Sequence, residues 1–334
     1  MEEKKRSLIL ARVVVGEKRS DYYVFDLEAD EVLKTEIQSL LDQGQGDMVK
    51  LGGMMYNIGG LRRIDECPPL DVIPCAEGDH HVHLGVSCLD LKNFDDAPLS
   101  SNKWWRWNDI PPMKECRIYP SCASLDGKLY AFYCLSAKTH IGEVFDPSLG
   151  RWEPLPPPPE EIPAGGSLLV SPRVISDEKR HRILVHFDTT HSLYAYYPDF
   201  RSWDCLVQYF SPWYPATIAL VDDVLFFHIY ERRDCLAAFD LLSNSWLKVK
   251  YSSNFPAWDM SFNEWQNILH LGDGILCLAN SCPSFSPPPV HTNIRFVKLR
   301  LQRISSQHLL LVTFVSSQCF RFQGYLRANS FFLL

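Results

Sequence analysis

The chain has 334 residues, 46% of them hydrophobic and 13% aromatic, which supplies ample apolar material for a large core and excludes disorder of the whole chain. A formal net charge of -7 argues against a protein that binds nucleic acid by neutralising phosphates, because that mode needs a basic stripe. The 11 Cys include no CxxC pair, so reduced and mostly buried thiols are expected, with neither a disulfide scaffold nor a zinc ribbon.

The first apolar segment, Leu8 to Val15, follows a charged start and is interrupted by Arg12. It therefore lacks the continuous apolar stretch of a signal peptide. The longest later apolar run, Leu309 to Val315, is far shorter than the roughly 20 residues needed to span a bilayer. We expect a cytoplasmic and/or nuclear protein with no membrane segment.

A repeat in the middle of the chain is marked by tryptophans at similar spacing, within the range of kelch-type repeats of roughly 50 residues. Six residues before each tryptophan, a short alternating strand ends in Asp or Tyr. The tryptophans are Trp152, Trp203 and Trp246, and the preceding strand ends are Asp146, Tyr197 and Asp240. Regular placement on a strand favours packing between sheets over ligand stacking, so we predict that all three tryptophans occupy matching positions and are largely buried.

A second set of strands lies upstream of those strand ends, and turn dipeptides introduce two of its members. The strands are predicted at Lys128 to Cys134, Arg182 to Phe187 and Val224 to Tyr230, and the turns at Asp126-Gly127 and Asp222-Asp223. Each unit is therefore predicted to be a four-stranded sheet. One such sheet cannot bury both of its faces alone, so neighbouring units are expected to stack around an axis.

The unit at residues 111–155 resembles a kelch repeat. The resemblance is carried by Pro111-Pro-Met-Lys-Glu-Cys-Arg, by Ser124-Leu-Asp-Gly-Lys-Leu-Tyr, by Glu143-Val-Phe-Asp-Pro and by Arg151-Trp-Glu-Pro-Leu-Pro. The double glycine that usually ends the second strand of the repeat is kept only in the preceding unit, at Gly59-Gly60. The resemblance to plant F-box/kelch proteins is strong in the middle of the chain and weak at both ends, and it implies an all-β, kelch-like β-propeller.

Six four-stranded blades are expected within a single domain over residues 1–315. They are placed at 8–36, 47–113, 116–158, 165–206, 212–251 and 259–304. The first blade lacks its innermost strand, and we predict that Leu309 to Val315 fills the gap by pairing beside Leu8 to Val15. An unclosed ring would leave unpaired strand edges, so this C-terminal strand is expected to close the propeller. Residues 316–334 form a C-terminal tail without a role in this scheme.

A binding surface is predicted where the loops joining strands two to three and four to one emerge together. Arg and aromatic side chains on loops above a rigid scaffold are typical of interface hot spots. The candidate partner-binding residues are Arg62, Arg63, His80, His81, Tyr209, Trp213, Arg232 and Arg233. For Arg232 and Arg233 a solvated turn is the competing interpretation, and for the nearby proline runs it is a set of stiff linkers.

The segment 61–83 is expected to be an irregular loop, because its prolines and Gly78 break any periodic pattern. Its Asp and His residues are of metal-ligand types, but their spacing matches no ligand pattern, so a solvated loop is favoured and no metal or cofactor is expected. These residues are Asp79, His80, His81 and His83.

The resemblance to plant F-box/kelch proteins implies a protein-interaction propeller that presents substrates to a ubiquitin ligase, while a separate helical F-box docks the ligase. Residues 1–7 are too short to hold an F-box, so only the recognition or scaffold role is expected to carry over. We expect a monomeric, non-catalytic propeller with protein partners. The alternative is a propeller that binds a small molecule or carbohydrate, with chemistry like that of the kelch-like copper oxidases. No nucleophile elbow, phosphate loop or HExxH motif supports catalysis.

Overall fold

The computed structural model describes residues 7–15, 19–34, 46–59, 61–63, 72–74, 80–83, 85–91, 107–115, 120–132, 141–159, 172–187, 190–210, 215–229, 236–253, 267–284, 289–304 and 308–334. These residues form strands, turns and one short 3-10 helix at Glu178–Arg180, which confirms the all-β prediction. Within them no helix is long and apolar enough to cross a membrane. The chain divides into two compact units, Leu40–Ser211 and a second one that combines Met1–Ser39 with Pro212–Leu334.

In chain order the strands are β1 (Leu8–Val15), β2 (Arg19–Asp26), β3 (Glu31–Lys34), β4 (Asp47–Leu51), β5 (Met54–Ile58), β6 (Leu61–Arg63), β7 (Val72–Pro74), β8 (His80–His83), β9 (Val86–Asp90), β10 (Asn108–Ile110), β11 (Ser121–Leu125), β12 (Lys128–Phe132), β13 (Gly142–Asp146), β14 (Arg151–Pro154), β15 (Arg173–Asp177), β16 (Arg182–Phe187), β17 (Ser192–Tyr197), β18 (Ser202–Val207), β19 (Pro215–Val221), β20 (Val224–Ile229), β21 (Leu236–Asp240), β22 (Ser245–Tyr251), β23 (Asn267–Gly272), β24 (Ile275–Ser284), β25 (His291–Ile304), β26 (Leu309–Gln323) and β27 (Leu326–Leu333).

The unit Leu40–Ser211 contains three four-stranded antiparallel sheets, in the orders β10-β9-β5-β4, β11-β12-β13-β14 and β15-β16-β17-β18. They lie within the predicted repeats 47–113, 116–158 and 165–206. Apolar side chains of neighbouring sheets share cores, one around Tyr56, Leu129 and Trp152 and another around Phe132 and Tyr194. Four-stranded sheets that bury their faces against each other are compatible with kelch-like propeller blades.

The prediction of an irregular loop over 61–83 is wrong, because the segment contains a three-stranded antiparallel sheet in the order β6-β8-β7. The short alternating runs of apolar residues in this segment suffice to form strands. Pro74 does not prevent pairing, since it is the last residue of β7, which lies at the edge of the sheet where a missing N–H donor is tolerated.

The second unit contains a four-stranded sheet, β27-β1-β2-β3, and an eight-stranded sheet, β19-β20-β21-β22-β26-β25-β24-β23. The predicted repeats 212–251 and 259–304 are therefore not separate sheets. They are joined along a parallel pairing between β22 and β26, which runs from Lys248↔Leu309 to Tyr251↔Val312. The join is possible because β26 extends the second of these repeats by an outer strand that the prediction did not include.

The predicted pairing of Leu309 to Val315 beside Leu8 to Val15 is wrong. Those residues begin β26, which pairs with β25 along its whole length. The strand that pairs with β1 is β27, from Ile9↔Leu333 to Val15↔Leu326. The segment 316–334, predicted to be a tail without a role, therefore completes one sheet and extends another. Its buried Leu326, Ala328 and Phe331 pack in the core around Phe25.

The repeat is visible in the register of the third and fourth strands of four sheets. In each of these sheets an aromatic residue of the third strand pairs with the residue at the tryptophan position of the fourth strand. The turn between these two strands ends on a residue with positive φ. The pairs are Phe25↔Val32, Phe145↔Trp152, Tyr196↔Trp203 and Phe239↔Trp246. The turn residues are Asp30, Gly150, Arg201 and Asn244. The matching positions of the three tryptophans are thus confirmed.

Their predicted burial is confirmed only in part. Trp152 is 2% exposed, Trp203 is half-buried and Trp246 is 42% exposed. The indole N–H groups of Trp152 and Trp203 donate to the carbonyl oxygens of Pro111 at 2.9 Å and Pro156 at 3.3 Å. Both prolines belong to the segment that leads into the tryptophan's own sheet, and this segment covers the indole. The corresponding segment before β19, residues 211–214, lies outside the described residues.

Candidate functional site

Each four-stranded sheet has two ends that carry different connections. The turns joining strands one to two and three to four lie at one end, here named the turn end, and the loops joining strands two to three lie at the other, the loop end. The predicted partner-binding residues belong to the loop-end connections. The turn end is described in most sheets, whereas much of the loop end lies outside the described residues.

Four of the predicted binding residues are brought together by main-chain pairing. Arg62 lies opposite His81, and Arg63 lies opposite His80, in the antiparallel pair β6 and β8. The side chains of these four residues are outside the described part of the structure, as are Asp79 and the predicted residues Trp213, Arg232 and Arg233. Among the side chains that are described, no group of three or more His, Cys, Asp or Glu residues is placed to hold a metal ion.

Tyr209 is the predicted binding residue whose surroundings are described most fully. Its side chain is 88% exposed and its backbone has a φ of 56°. The next residue, Phe210, is buried, with its ring 5.4 Å from that of His186 and its carbonyl oxygen 3.2 Å from His186 Nε2. A bulky residue in the left-handed region is unfavourable unless its surroundings fix it there. The buried Phe210 supplies that anchor and leaves the Tyr209 ring in solvent.

A cleft of about 170 Å³ lies at the turn end of sheets β11–β14 and β15–β18, within the unit Leu40–Ser211. Its lining includes Tyr130 and Tyr196, whose rings are 6.2 Å apart. Burial raises the pKa of both phenols, and for Tyr130 the neighbouring Tyr196 and the carboxylates of Asp126, Asp199 and Asp146 raise it further. The two phenols therefore stay neutral in a negative field.

Asp146 is held at the rim of this cleft by its own turn. Ser148 donates to Asp146 Oδ1 from its main-chain N–H at 2.9 Å and from its hydroxyl at 2.5 Å, and Lys128 Nζ lies 3.2 Å from Asp146 Oδ2. These hydrogen bonds lower the pKa of the Asp146 carboxyl, so it is ionised at neutral pH. The sequence analysis treated these residues as turn formers, because nothing in the sequence shows that two neighbouring sheets bring them together.

The other compact unit has a cleft of about 700 Å³ at the turn end of sheet β27-β1-β2-β3 and the β23–β26 half of the large sheet. Lys298 and Arg300 line it, with Lys298 Nζ 2.7 Å from Glu28 Oε1. Arg300 lies opposite Ile275, the first residue of β24. Asp146 occupies the same place beside Lys128, the first residue of β12, because Val144 pairs with Tyr130 two residues further into each strand. Equivalent positions of the repeat thus carry opposite charge in the two clefts.

The described cysteines give no sign of redox or nucleophilic chemistry at either cleft. Cys88 and Cys277 are buried, and burial raises the pKa of both thiols, that of Cys277 to about 12. A thiol that stays protonated at neutral pH is a poor nucleophile. Cys205 and Cys319 are exposed, so the expectation of mostly buried thiols holds for only some of the described cysteines.

Comparison with known proteins gives one partial similarity and no matching family model. An F-box/kelch-repeat protein of Arabidopsis thaliana is 38% identical over 56 residues. The matched segment covers 15% of this chain and 16% of the relative. This similarity and the repeated four-stranded sheets are compatible with a kelch-like propeller.

Proposed function

We propose that the chain is a non-catalytic, protein-binding propeller of six kelch-like blades. Within that function, we propose that it recognises substrates, or acts as a scaffold, in ubiquitin-linked regulation. The repeated register of the sheets and the partial similarity to an F-box/kelch-repeat protein support the first part. The proposed role in ubiquitin-linked regulation is supported by the F-box in the name of that relative.

The observation that carries the proposal is the presentation of Tyr209. Tyr and Arg dominate protein-interface hot spots because each provides a large contact area and a polar tip. Tyr209 projects its ring into solvent from a backbone conformation that Phe210 fixes, so little conformational entropy would be lost on binding. We propose that Tyr209 acts together with the other loop-end residues, namely Arg62, Arg63, His80, His81, Trp213, Arg232 and Arg233.

Affinity purification of the intact chain tests this role when it is compared with Tyr209→Ala. We expect the affinity for a partner recovered with the parent to fall about thirtyfold with Tyr209→Ala, since loss of a hot spot costs about 2 kcal/mol and each 1.4 kcal/mol is a factor of about ten. Tyr325→Ala is the matched control, because Tyr325 is another exposed tyrosine, 53% accessible, in the other compact unit. An identical set of captured proteins for all three chains would contradict the proposal.

The ubiquitin-linked role needs a separate measurement on the partner that this comparison identifies. If the chain presents that partner for modification, depletion of the chain should raise the partner's half-life, and reintroduction of Tyr209→Ala should fail to restore turnover. A partner whose half-life does not respond to the parent chain would exclude substrate recognition and leave the scaffold role.

A further inference from the structure

The turn-end cleft between sheets β11–β14 and β15–β18 has the size of a side-chain pocket. Its volume of about 170 Å³ is below the roughly 300–1,000 Å³ of pockets that enclose whole small molecules. A cleft of this size accommodates one long side chain that enters from the surface. The chemistry of its walls then decides which side chain fits.

The floor of the cleft is formed by two largely buried tyrosines. Tyr130 and Tyr196 are each 2% exposed, and both line the cleft. Within the described part of the chain neither hydroxyl makes a hydrogen bond, although their rings contact each other at 6.2 Å. A ligand with hydrogen-bond donors can therefore bond to these phenol oxygens without breaking a contact within the described part of the chain.

The rim of the cleft is negatively charged. Four carboxylates line it, those of Asp126, Asp146, Glu153 and Asp199, against the two cations Lys128 and Arg201. Three of the carboxylates have a partner, since Lys128 lies 3.2 Å from Asp146, Arg151 lies 2.7 Å from Glu153 and His181 Nδ1 lies 3.3 Å from Asp126. Arg201 donates to the carbonyl oxygen of Pro154 at 3.3 Å. Asp199, an exposed residue, has no ion pair with any described residue. Of the four lining carboxylates, Asp199 is therefore the one left for a cationic guest to pair with.

Leu149 lines the cleft, and Phe200 occupies the equivalent position in the turn whose Pro198, Asp199 and Arg201 line it. Leu149 and Phe200 are the third residues of the turns that join strands three and four in adjacent sheets. They are 58% and 79% exposed, respectively. Large apolar side chains beside a charged cleft resemble the mixed surface on which peptide segments dock.

We propose that this surface binds a partner protein through an arginine, with the guanidinium group in the cleft and apolar neighbours of that arginine against Leu149 and Phe200. Arginine fits better than lysine, because its planar fork of five donors can reach a carboxylate and the phenol oxygens together. The inference rests on the proposed protein-binding function, but it places a second contact surface at the turn end, away from the loop-end residues that include Tyr209.

A direct binding measurement tests the inference on the full chain. The probe is a fluorescent heptapeptide of alternating leucine and arginine, compared by anisotropy with a twin in which glutamate replaces arginine. We expect the arginine peptide to bind at least about tenfold more tightly than its twin, because charge-assisted hydrogen bonds are the strong ones. Its affinity should fall as salt is raised, since the carboxylates are near the surface.

Three variants localise the binding. Phe200→Ser and Asp199→Asn alter exposed side chains, and each should weaken the arginine peptide about fivefold without changing thermal stability. Tyr130→Phe removes a hydroxyl that makes no hydrogen bond within the described part of the chain, so it should also weaken the peptide while leaving the fold intact. Asp273→Asn changes an aspartate in a turn of the other cleft, which contains Lys298 and Arg300, so it is the control and should have no effect.

Equal affinity for the two peptides would overturn the inference, as would unchanged affinity in Phe200→Ser and Asp199→Asn. Tyr209→Ala separates this outcome from failure of the proposed function. If capture of a partner depends on Tyr209 but the arginine peptide does not bind, the turn-end site is wrong and the binding platform stands. If the peptide binds at the cleft but no partner depends on Tyr209, the loop-end site is wrong.

Discussion

Sheets β11–β14 and β19–β22 carry the same residues at the same places and bury different ones. In the first, Trp152 is 2% exposed, while the Asp146 side chain is 20% exposed. In the second, Trp246 is 42% exposed, while the Asp240 side chain is fully buried. The repeat therefore specifies how the aromatic residue, the aspartate and the tryptophan are placed within a sheet. Neighbouring segments decide whether the tryptophan or the aspartate is buried and so contributes most to the free energy of unfolding.

The neighbours of the two aspartates explain the exchange. Asp146 pairs with Lys128 of its own sheet and is open to solvent. Asp240 accepts from both guanidinium nitrogens of Arg303, which comes from β25, at 3.2 Å and 2.5 Å. Arg303 reaches it because β22 and β26 pair and bring the two halves of the large sheet together. A contact that is local in one sheet is thus replaced by a long-range ion pair in the other.

The largest effect is expected for Trp152→Ala. Removing a buried indole leaves a cavity and strands the Pro111 carbonyl that its N–H satisfied at 2.9 Å. Substitutions of this kind cost about 3–5 kcal/mol. Urea unfolding followed by circular dichroism should show a midpoint far below that of the parent. An unchanged midpoint would show that the proline segment, and not the indole, holds this side of the sheet.

An intermediate loss, about 2–3 kcal/mol, is expected for Asp240→Asn, because it removes the charge of a fully buried carboxylate that accepts hydrogen bonds from Ser243, Leu242 and Arg303. Asp146→Asn is the matched control at the equivalent place, and it should cost clearly less than Asp240→Asn because surface ion pairs contribute little. Equal losses in the two variants, measured by urea unfolding, would contradict the proposed exchange between the repeats.

The same pair predicts a dependence on pH. Burial raises the pKa of Asp240, but hydrogen bonds from Ser243, Leu242 and Arg303 outweigh it and lower the pKa below its ordinary value. Stability from this group is therefore fully present above the unfolded pKa of about 3.9, and it is lost as the pH falls through the folded pKa. Between pH 6 and pH 3 the difference in unfolding free energy between parent and Asp240→Asn should shrink.

The sequence was sufficient to predict the strands of the middle sheets, and it failed where strands are interrupted by bulges. In β27 the buried residues change parity between Ala328 and Phe331, because Asn329 is an extra residue at the shift opposite Arg12 and Val13. A period of two therefore does not appear over the whole strand. In β26 the extra residue is Val315, where the apolar run that could be recognised ends.

From the sequence, candidate binding residues could be identified only one at a time, and not as a cleft formed by several residues. Tyr209 was identified because an aromatic residue in a polar connection is informative by itself. The turn-end cleft was missed because the alternating pattern predicts Tyr130 and Tyr196 as core residues. Both do belong to the core, and they line the cleft as well. Their place in the cleft depends on the packing of one sheet against the next, and sequence periodicity contains no information about that distance.

The smallest loss of stability is expected for Trp246→Ala, which tests whether this tryptophan is as exposed as the comparison with Trp152 requires. The indole packs against Phe239 at 5.1 Å and Phe227 at 5.9 Å, but two fifths of the side chain remain in water. Aromatic contacts of this kind contribute about 0.5–1.5 kcal/mol, well below the cost at Trp152. Trp246→Phe should retain most of the contact and stay within about 0.5 kcal/mol of the parent. A loss at Trp246→Ala as large as that at Trp152→Ala would mean that this indole is covered in solution, and the exchange of burial between the two repeats would then be wrong.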